Sequence, residues 1–397
     1  MKLSIIGRAL AGLLCAAAAN AATAPARAAE EVKLNVILPL TGPGAFLGKE
    51  EQAAMQLGEK LVNEKGGIKG RTLRFMFHDD QSKPQVAVQL LQEILAEKPS
   101  LVIGSAIVAN CSAMMPLMAQ GPVQYCLSPT IKPEPGSYVF TSNISTDDQN
   151  RAIIRYFRLS GLKRIGLITA TDAMGQLAEQ SIEQVLKLPE NKEMVLVHKA
   201  EFNPADVSVA AQIERLKAAK PDALLAWNTG APIATVFKGL VQGGLDVPVA
   251  TNYGNMTYAQ MKAYAGFLPK QLYFPTPGWL PHPDSVDLGA PVEAAQKDFF
   301  AQFASAGLSP DIAHIMAWDP MMILVGALRA LGPDASAAAI RDHLLHLKSY
   351  AGIDGLYDFE AVPQRGLSDK NVVVSRWDAE RGTWQVVSRP TGLPLAR

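Results

Sequence analysis

The sequence predicts an α/β protein built from two doubly wound lobes. Short apolar segments with strand character alternate with segments of helical periodicity along nearly the whole chain, a pattern typical of βαβ units and mainly parallel sheets. The alternation forms two successive series, and the chain contains no low-complexity segment or long linker. We therefore expect short crossings near residues 144–147, 274–280 and 350 to join the two lobes.

The first series begins with the strand "VKLNVILPL" (32–40) and a helix over residues 48–64. In "LVNEKGGIKGRTLRFMFHDDQSKP" (61–84), two adjacent glycines end that helix, and an alternating strand over 72–77 follows. The remaining elements of this series are predicted as helices over 84–97 and 110–119 and strands over 100–105, 123–128 and 138–143.

The second series opens with the helix "TDDQNRAIIRYFRLSG" (146–161). Four strands are predicted over 164–170, 194–202, 222–228 and 247–252, alternating with helices over 175–187, 208–219 and 232–243. Helices over 290–306, 312–331 and 336–349 follow, and "GLYDFE", "NVVVSRWD" and "TWQVVS" are short strands near the end.

The N-terminal segment has the features of a secretory signal peptide. A basic start with Lys2 and Arg8 precedes the short apolar run "ALAGLLCAAAA", and Ala26-Arg27-Ala28 forms a cleavage signature. We expect cleavage near Ala28, with a cut after Ala21 as the alternative, and an exported mature protein. Removing residues 1–28 takes away three positive charges and changes the formal charge from zero to about −3, which gives no indication of nucleic-acid binding.

The mature chain of about 370 residues is long enough for two domains. We assign residues 29–145 and 278–350 to lobe one, and residues 146–277 and 351–397 to lobe two. No apolar run reaches the length of about 18 residues expected of a membrane-spanning helix. The most apolar segment, "MMILVGALRALG" (321–332), contains Arg329 and is predicted to be a buried helix.

Two cysteines remain after signal cleavage, Cys111 and Cys126. Export to an oxidising compartment permits a disulfide between them. Two free buried thiols are the alternative, because a sequence does not give the separation of the Cα atoms.

The sequence contains no catalytic or metal-binding constellation. "TGPGAFLG" (41–48) follows a strand but lacks dinucleotide spacing, and there is no Walker motif or nucleophile elbow. His343 and His346 share a helix face without a third ligand, and the pairs Asp79-Asp80 and Asp147-Asp148 lie where capping residues are common. We therefore predict no enzymatic activity, no cofactor and no metal, with Asp79-Asp80 and Asp147-Asp148 as capping residues.

Polar and glycine-rich loops follow the predicted strands in both series. Open α/β sheets bind ligands at the carboxyl ends of their strands, so two facing lobes would line one cleft with these loops. The physical task that such an arrangement suits is closure of two lobes around a small molecule. The loops are "LTGPGAFLG", "GSAIVANCS", "SPTIKP", "TATDAMGQ", "WNTGAP" and "TNYGNM".

The ordered series of motifs resembles a known family. "LPLTGPGAFLG", "LVNEKGGIKGRTLRFMFHDDQSKP", "LVIGSAIVANCSAMMPLM", "LITATDAMG", "GLDVPVATNYGNM", "AWDPMMILVGAL" and "GLYDFEAVPQRG" are together similar to the periplasmic solute-binding proteins of branched-chain amino acid ABC transporters. The resemblance implies two Rossmann-like lobes joined by a three-segment hinge, the type I periplasmic binding protein fold. It also implies a small-molecule solute, membrane permease and ATPase subunits as partners, and no enzymatic activity.

The resemblance also implies positions for the ligand. The loops after the third and fourth strands would hold a carboxylate through hydroxyls and backbone amides, and Phe46 would lie over the ligand. An N-cap role for Asn110, turn formation by Ser128 and Thr130, and a hydrophobic staple by Phe46 are the alternatives. The loop residues implied are Ala109, Asn110, Cys111, Ser128 and Thr130.

The second lobe departs from the pattern of amino-acid binders. Asn252, Tyr253 and Asn255 occupy the loop in which those proteins carry an acidic residue for the α-ammonium. Burying an unpaired ammonium is costly, so we expect a carboxylate without an α-amino group, aromatic or aliphatic. An amino acid, an amide or a ligand-sensing role remains open. Asp172, Met174, Asn228 and Tyr253 complete the predicted site.

Overall fold

Two sheets covered by helices organise the chain in a computed structural model, which describes residues 31–141, 143–278 and 288–395. The predicted signal peptide and its cleavage site lie outside these residues. The first sheet is built from the first predicted series, and the second sheet combines the second series with three strands from later in the chain. The loops that line the cleft leave both sheets at their carboxyl edges.

The first sheet is parallel and has the strand order β2-β1-β3-β4-β5. Six of the seven residues of β1 are buried, as expected of a central strand covered on both faces. The strands are β1 (Val32–Leu38), β2 (Leu73–Asp79), β3 (Leu101–Gly104), β4 (Val123–Cys126) and β5 (Val139–Thr141); the helices are α1 (Ala45–Glu64), α2 (Pro84–Ala96) and α3 (Val108–Met114).

The second sheet has the order β14-β13-β10-β9-β8-β6-β7 and is parallel except for β13 and β14. Its strands are β6 (Arg164–Ala170), β7 (Val195–Phe202), β8 (Ala223–Trp227), β9 (Val249–Ala250), β10 (Leu272–Pro277), β13 (Val372–Asp378) and β14 (Thr383–Val386). Its helices are α4 (Thr146–Leu159), α5 (Ala173–Leu186), α6 (Ala210–Ala218), α7 (Ala231–Gly243) and α8 (Tyr258–Ala263).

The C-terminal third returns to the first sheet. Helix α10 packs against α1, and Arg329 in its last turn donates hydrogen bonds to the carbonyls of Val62 and Gly67. The elements of this third are α9 (Ala290–Ser305), α10 (Ile312–Leu331), α11 (Ala337–Leu345) and the short strands β11 (Lys348–Ala351), β12 (Leu356–Asp358), β15 (Ser388–Arg389) and β16 (Leu393–Pro394).

Helix α10 is the one helix of the described residues with the length and composition of a membrane span. Its 18-residue window has a mean hydropathy of 1.2, but 83% of that window is buried inside the protein. The prediction of a buried helix here is therefore confirmed.

Asp319 of α10 fixes the crossing near residue 350. Its carboxylate accepts hydrogen bonds from the backbone amides of Ile353 (2.9 Å) and Asp354 (3.0 Å) and from the Tyr357 hydroxyl (3.0 Å). Burial raises the pKa of Asp319 to about 6. Of the residues near 274–280, where another crossing is predicted, residues 274–277 belong to β10. The exact division into lobes stays a prediction.

Candidate ligand-binding cleft

A cavity of about 310 Å³ lies between the carboxyl edges of the two sheets. The first sheet contributes the loops after β1, β2, β3 and β4, and the second contributes the loops after β6, β7, β8 and β9. The two sides approach each other closely, since a Cβ added to Gly230 would lie 3.0 Å from the Phe46 ring. The cavity lining includes Gly44, Phe46, Ser82, Ile107, Ala109 and Ser128 from the first side and Asp172, Met174, Thr229, Pro232, Asn252 and Gly254 from the second.

Half of the predicted site residues line this cavity. They are Phe46, Ala109, Ser128, Asp172 and Met174. Each follows the carboxyl end of a parallel strand, where the connecting loop turns towards the opposing lobe. Their location agrees with the predicted site, and their contact with a ligand stays a prediction.

The other half lie behind the cavity wall. Asn110 is fully buried against Asp80, and Cys111 is fully buried in a disulfide. Thr130 accepts a hydrogen bond from Thr146 Oγ1 at 3.1 Å, so its hydroxyl is engaged at the crossing into α4.

Asn228 and Tyr253 also lie outside the lining. Both side chains are buried, and the Asn228 carbonyl accepts hydrogen bonds from the side-chain amides of Asn252 (2.7 Å) and Asn255 (2.8 Å). Burial raises the pKa of the Tyr253 hydroxyl well above its ordinary value. Their neighbours Thr229, Asn252 and Gly254 line the cavity instead.

The disulfide resolves the alternative that the sequence left open. Cys111 in α3 and Cys126 at the end of β4 are bonded, with their Cα atoms 6.2 Å apart. The Ser128 amide lies 3.3 Å from Cys126 Sγ, so the disulfide adjoins the loop that brings Ser128 to the cavity. It links α3, which carries Ala109, to the strand that leads into Ser128.

The second-lobe wall is a neutral network. Thr229 Oγ1 donates to Asn252 Oδ1 at 3.1 Å and lies 3.0 Å from the Met174 sulfur. Asn255 Oδ1 accepts from the Gly230 amide at 3.1 Å. Thr229 and Asn252 therefore bring hydroxyl and amide groups, without a charge, to this part of the cavity.

Asp172 is the one ionisable side chain among the described residues of the lining. It is exposed at the rim and is the N-cap of α5, where its Oδ1 accepts the Gly175 amide at 2.9 Å. Capping already explains this carboxylate, and its exposure reduces the stabilisation that it could give to a bound cation.

Asp79 and Asp80 do not cap α2, contrary to the sequence prediction. The N-cap of α2 is Lys83, and no side chain caps that helix. Asp147 and Asp148 are not the N-cap of α4 either, because Ser145 holds that position. They lie in the first turn, where Ser145 accepts the Asp148 amide and donates its hydroxyl to the Asp148 carboxylate at 2.5 Å.

No group of three or more His, Cys, Asp or Glu residues within residues 31–141, 143–278 and 288–395 has metal-binding geometry. His346 Nδ1 lies 2.7 Å from the Asp342 carbonyl of its own helix, which provides a local partner for this ring.

A model of the periplasmic binding protein family matches residues 31–382. The chain belongs to this family. Membership indicates an exported, periplasmic protein, and the family is named for binding rather than catalysis. The predicted family is confirmed, as is the prediction that this periplasmic binding protein is not an enzyme.

Known relatives of this periplasmic binding protein agree in fold. The Leu/Ile/Val-binding protein homolog 3 of Brucella melitensis is 27% identical over 169 residues, which is 42% of this chain and 39% of that protein. An extracellular ligand-binding receptor from Rhodopseudomonas palustris HaA2 superposes with a TM-score of 0.80 at 21% identity, covering 90% of this chain and 99% of the other.

A solute-binding protein of an ABC transporter from R. palustris, solved in complex with benzoate, superposes with a TM-score of 0.76 at 18% identity, covering 92% and 98% of the two chains. At such identities the structural likeness concerns the fold, and it confirms the predicted fold class of two doubly wound α/β lobes.

Fifteen of the twenty lining residues of this binding protein were not in the predicted site, and they include Ser82, Ile107, Thr229 and Met316. Ser82 and Thr229 follow strand ends in loops that the sequence marks as polar, so strand position could have indicated them. Met316 comes from α10, and no local pattern in the sequence links that helix to the cleft.

Proposed function

We propose that this protein is the solute-binding subunit of an ABC importer and that its lobes close on a small carboxylate without an α-amino group, aromatic or aliphatic. The observation that carries this proposal is the neutral wall formed by Thr229 and Asn252 at the place where an ammonium would be received. Permease and ATPase subunits in the membrane are the expected partners.

The first-lobe side offers donors suited to a carboxylate. Ser128 brings a hydroxyl to the cavity, and Ala109 lies in the first turn of α3, where backbone amides have no partner within the helix. Hydrogen bonds to a charged acceptor are about twice as strong as neutral ones, so a few aligned donors suffice without a cationic side chain.

The remaining surface suits an apolar body. Phe46, Ile107, Met174 and Pro232 line the space between the donors and the second lobe. Apolar walls with a few polar groups that fix orientation are usual in small-molecule sites. The benzoate complex of the R. palustris protein gives a precedent within this fold for an acid that lacks an amine.

An amino acid is the second candidate, because the Brucella relative is named as a Leu/Ile/Val-binding protein homologue and Asp172 lies at the rim. In that case the Asp172 carboxylate would receive the α-ammonium. An ammonium removed from water needs such a partner, and Asn252 and Thr229 carry no charge.

Matched ligand pairs separate the two candidates. Mature protein, unfolded and refolded to remove any carried ligand, is titrated calorimetrically with 4-methylpentanoate against leucine and 3-phenylpropanoate against phenylalanine. We expect binding of the amine-free acids, and a ligand at 100 times its Kd should stabilise the fold by about 2.7 kcal/mol in thermal unfolding. Binding of leucine without 4-methylpentanoate would reject the proposed ligand class.

A further inference from the structure

The tandem aspartates at the end of β2 contact three different loops of the first lobe. Asp79 Oδ1 accepts hydrogen bonds from the backbone amides of Leu40 (3.0 Å) and Thr41 (3.1 Å), and its Oδ2 accepts the Thr41 hydroxyl at 2.7 Å. Although partial burial opposes ionisation of Asp79, hydrogen bonds from Thr41, Gln81 and Leu40 lower its pKa below the ordinary 3.8. Asp79 therefore holds the loop after β1 as an ionised acceptor.

Ser82 continues this connection to the cavity. Its hydroxyl donates to the Thr41 carbonyl at 2.8 Å and accepts the Gly44 amide at 3.0 Å. Gly44 and Ser82 both line the cavity. The loop after β1 and the loop after β2 are thus fixed to each other beside the ligand space.

Asp80 connects to the loop after β3. Its Oδ1 accepts the Ser82 amide at 2.8 Å, and its Oδ2 accepts the Ser105 hydroxyl at 2.6 Å. The same Ser105 oxygen accepts the amide of Ile107 at 3.3 Å, and Ile107 lines the cavity.

The connection extends to the loop after β4. The Leu127 amide donates to the Ser105 carbonyl at 3.0 Å, immediately before Ser128. The Cys111–Cys126 disulfide adjoins the same carbonyl, with Cys111 Sγ 3.0 Å from the Ser105 oxygen. One buried serine therefore links Asp80 to both loops that offer donors to a carboxylate.

Asp80 is costly to the fold, because it is fully buried and no Lys, Arg or His of the described chain pairs with it. The ionisable groups that interact electrostatically with it include Glu51 and Asp79, which are both acidic. A neutral side chain at this position would fill the same space without the free-energy cost of burying a carboxyl group, so packing alone does not explain an aspartate here.

We infer that Asp79 and Asp80 are positioning residues for the ligand carboxylate: through Ser82 and Ser105 they fix the loops that present Gly44, Ile107, Ala109 and Ser128 to the cavity. They touch no ligand themselves and act through hydrogen bonds to these loops. The inference deepens the proposed function and rests on it, since it assumes that a carboxylate binds at this side of the cleft.

Asp80→Asn and Ser105→Ala test the inference. Calorimetric titrations measure Kd for 4-methylpentanoate and for 4-methylpentanamide. The first carries a carboxylate and the second a neutral amide at the end that the first lobe is proposed to bind. Because aligned donors stabilise a carboxylate more than an amide, we expect each variant to weaken acid binding at least tenfold and amide binding less than threefold. The acid-to-amide affinity ratio is a readout that a general loss of stability does not change.

Asp222→Asn is the matched control. Asp222 also accepts two backbone amides, those of Lys163 and Arg164, both at 2.9 Å, but it does so at the amino edge of the second sheet, away from the cleft. We expect this variant to lose stability and to keep the wild-type affinity ratio. Ser105→Ala removes a single hydroxyl, so it serves as the second variant if Asp80→Asn does not fold.

An unchanged ratio in both Asp80→Asn and Ser105→Ala, or an equal loss for acid and amide, would overturn the inference. The proposed function fails separately, when wild-type protein binds leucine but not 4-methylpentanoate. In that case leucine and leucinamide replace the acid and amide as probes, since the same loops would hold the α-carboxylate.

Discussion

At the scale of single residues, strand ends identify the loops of the site but not the direction of each side chain. The family resemblance implied Phe46, Ala109 and Ser128, which lie in loops after parallel strands, and all three line the cavity. Tyr253 was predicted in the same way but is fully buried, because it lies in a 3₁₀ turn begun by Asn252, whose side chain accepts the Gly254 amide. Such a turn sets side-chain direction through local hydrogen bonds that no periodicity reveals.

Thr229 is the position at which ligand charge can be tested. Thr229→Asp places a carboxylate on the neutral wall, opposite the loops that we propose hold the ligand carboxylate. We expect acid affinity to fall at least tenfold, because like charges in a cleft of low dielectric repel. Thr229→Asn is the matched neutral control and should bind the acid within about threefold of wild type. Equal affinities of the Asp and Asn variants in calorimetric titration would show that this wall does not sense ligand charge.

The buried carboxyl group of Glu51 should make the stability of the fold depend on pH. Burial raises its pKa well above the ordinary value of 4.5, and the charge of Asp80 raises it further. Between pH 4.5 and the higher pKa that Glu51 has in the folded state, the folded protein therefore binds more protons than the unfolded chain. The free energy of unfolding falls as the pH rises through this range. Glu51→Gln should unfold like wild type below pH 4.5 and should be more stable than wild type at neutral pH.

Urea unfolding between pH 4 and pH 8 measures this difference. Other buried carboxyl groups, including Asp319 and Asp354, also make the free energy of unfolding depend on pH. Wild type and Glu51→Gln share these groups, so their contributions cancel when the two proteins are compared. A constant difference between Glu51→Gln and wild type across the whole range would exclude a titration of Glu51.

At the scale of elements, the strands and helices of both series were predicted within a few residues, and the clearest omission was β10. Its sequence "LYFPTP" contains Pro275 and Pro277, which argue against a central strand. The structure accommodates them because β9 is short and pairs only with Leu272 and Tyr273, so the ladder on that side ends before the prolines. The sequence of β10 does not show that the neighbouring strand β9 is short, so the prolines made a strand at this place unpredictable.

The disulfide between α3 and β4 is an element-scale feature with a measurable contribution. Cys111 and Cys126 are 15 residues apart in sequence, and a disulfide that closes a loop of that size stabilises the folded protein by about 3 kcal/mol, because it restricts the unfolded chain. We expect Cys111→Ala/Cys126→Ala to lose roughly that free energy of unfolding in urea. Wild-type protein reduced under mildly denaturing conditions should behave like the variant, and a reductant should not affect the variant.

At the scale of the whole molecule, the sequence predicts two lobes and a cleft but not the contacts that join them. Arg365 lies between β12 and β13 and is nearly fully buried. Its guanidinium donates to the carbonyls of Asn143 (2.9 Å) and Ile131 (2.8 Å), so it connects the first crossing with the loop that carries Ser128. Thr130 with Thr146 and Lys132 with Asp147 add two further contacts at this crossing.

Arg365→Lys should weaken this junction while keeping its charge. A lysine ammonium lacks the planar fork that reaches both carbonyls, and a buried carbonyl left without a donor costs about 1–3 kcal/mol. We expect a loss of that size in urea unfolding and a weaker ligand affinity, because the loop that carries Ser128 is then held less firmly at this junction. Arg74→Lys, at an exposed pair with Glu59, is the control and should change neither quantity.

The packing of α10 against α1 has a consequence for how the chain is made. Lys69, after α1, donates to the Ala330 carbonyl of α10, and Arg329 of α10 donates to the Gly67 carbonyl. Helix α1 packs against α10 as well as against β2. Synthesis delivers the chain from its N-terminus, so the first lobe waits for residue 331 of 397 before its core can close. The second sheet waits longer still, because β13 and β14 join it beside β10 and end only at residue 386. Both cores are therefore expected to close only when nearly all of the chain has been synthesised.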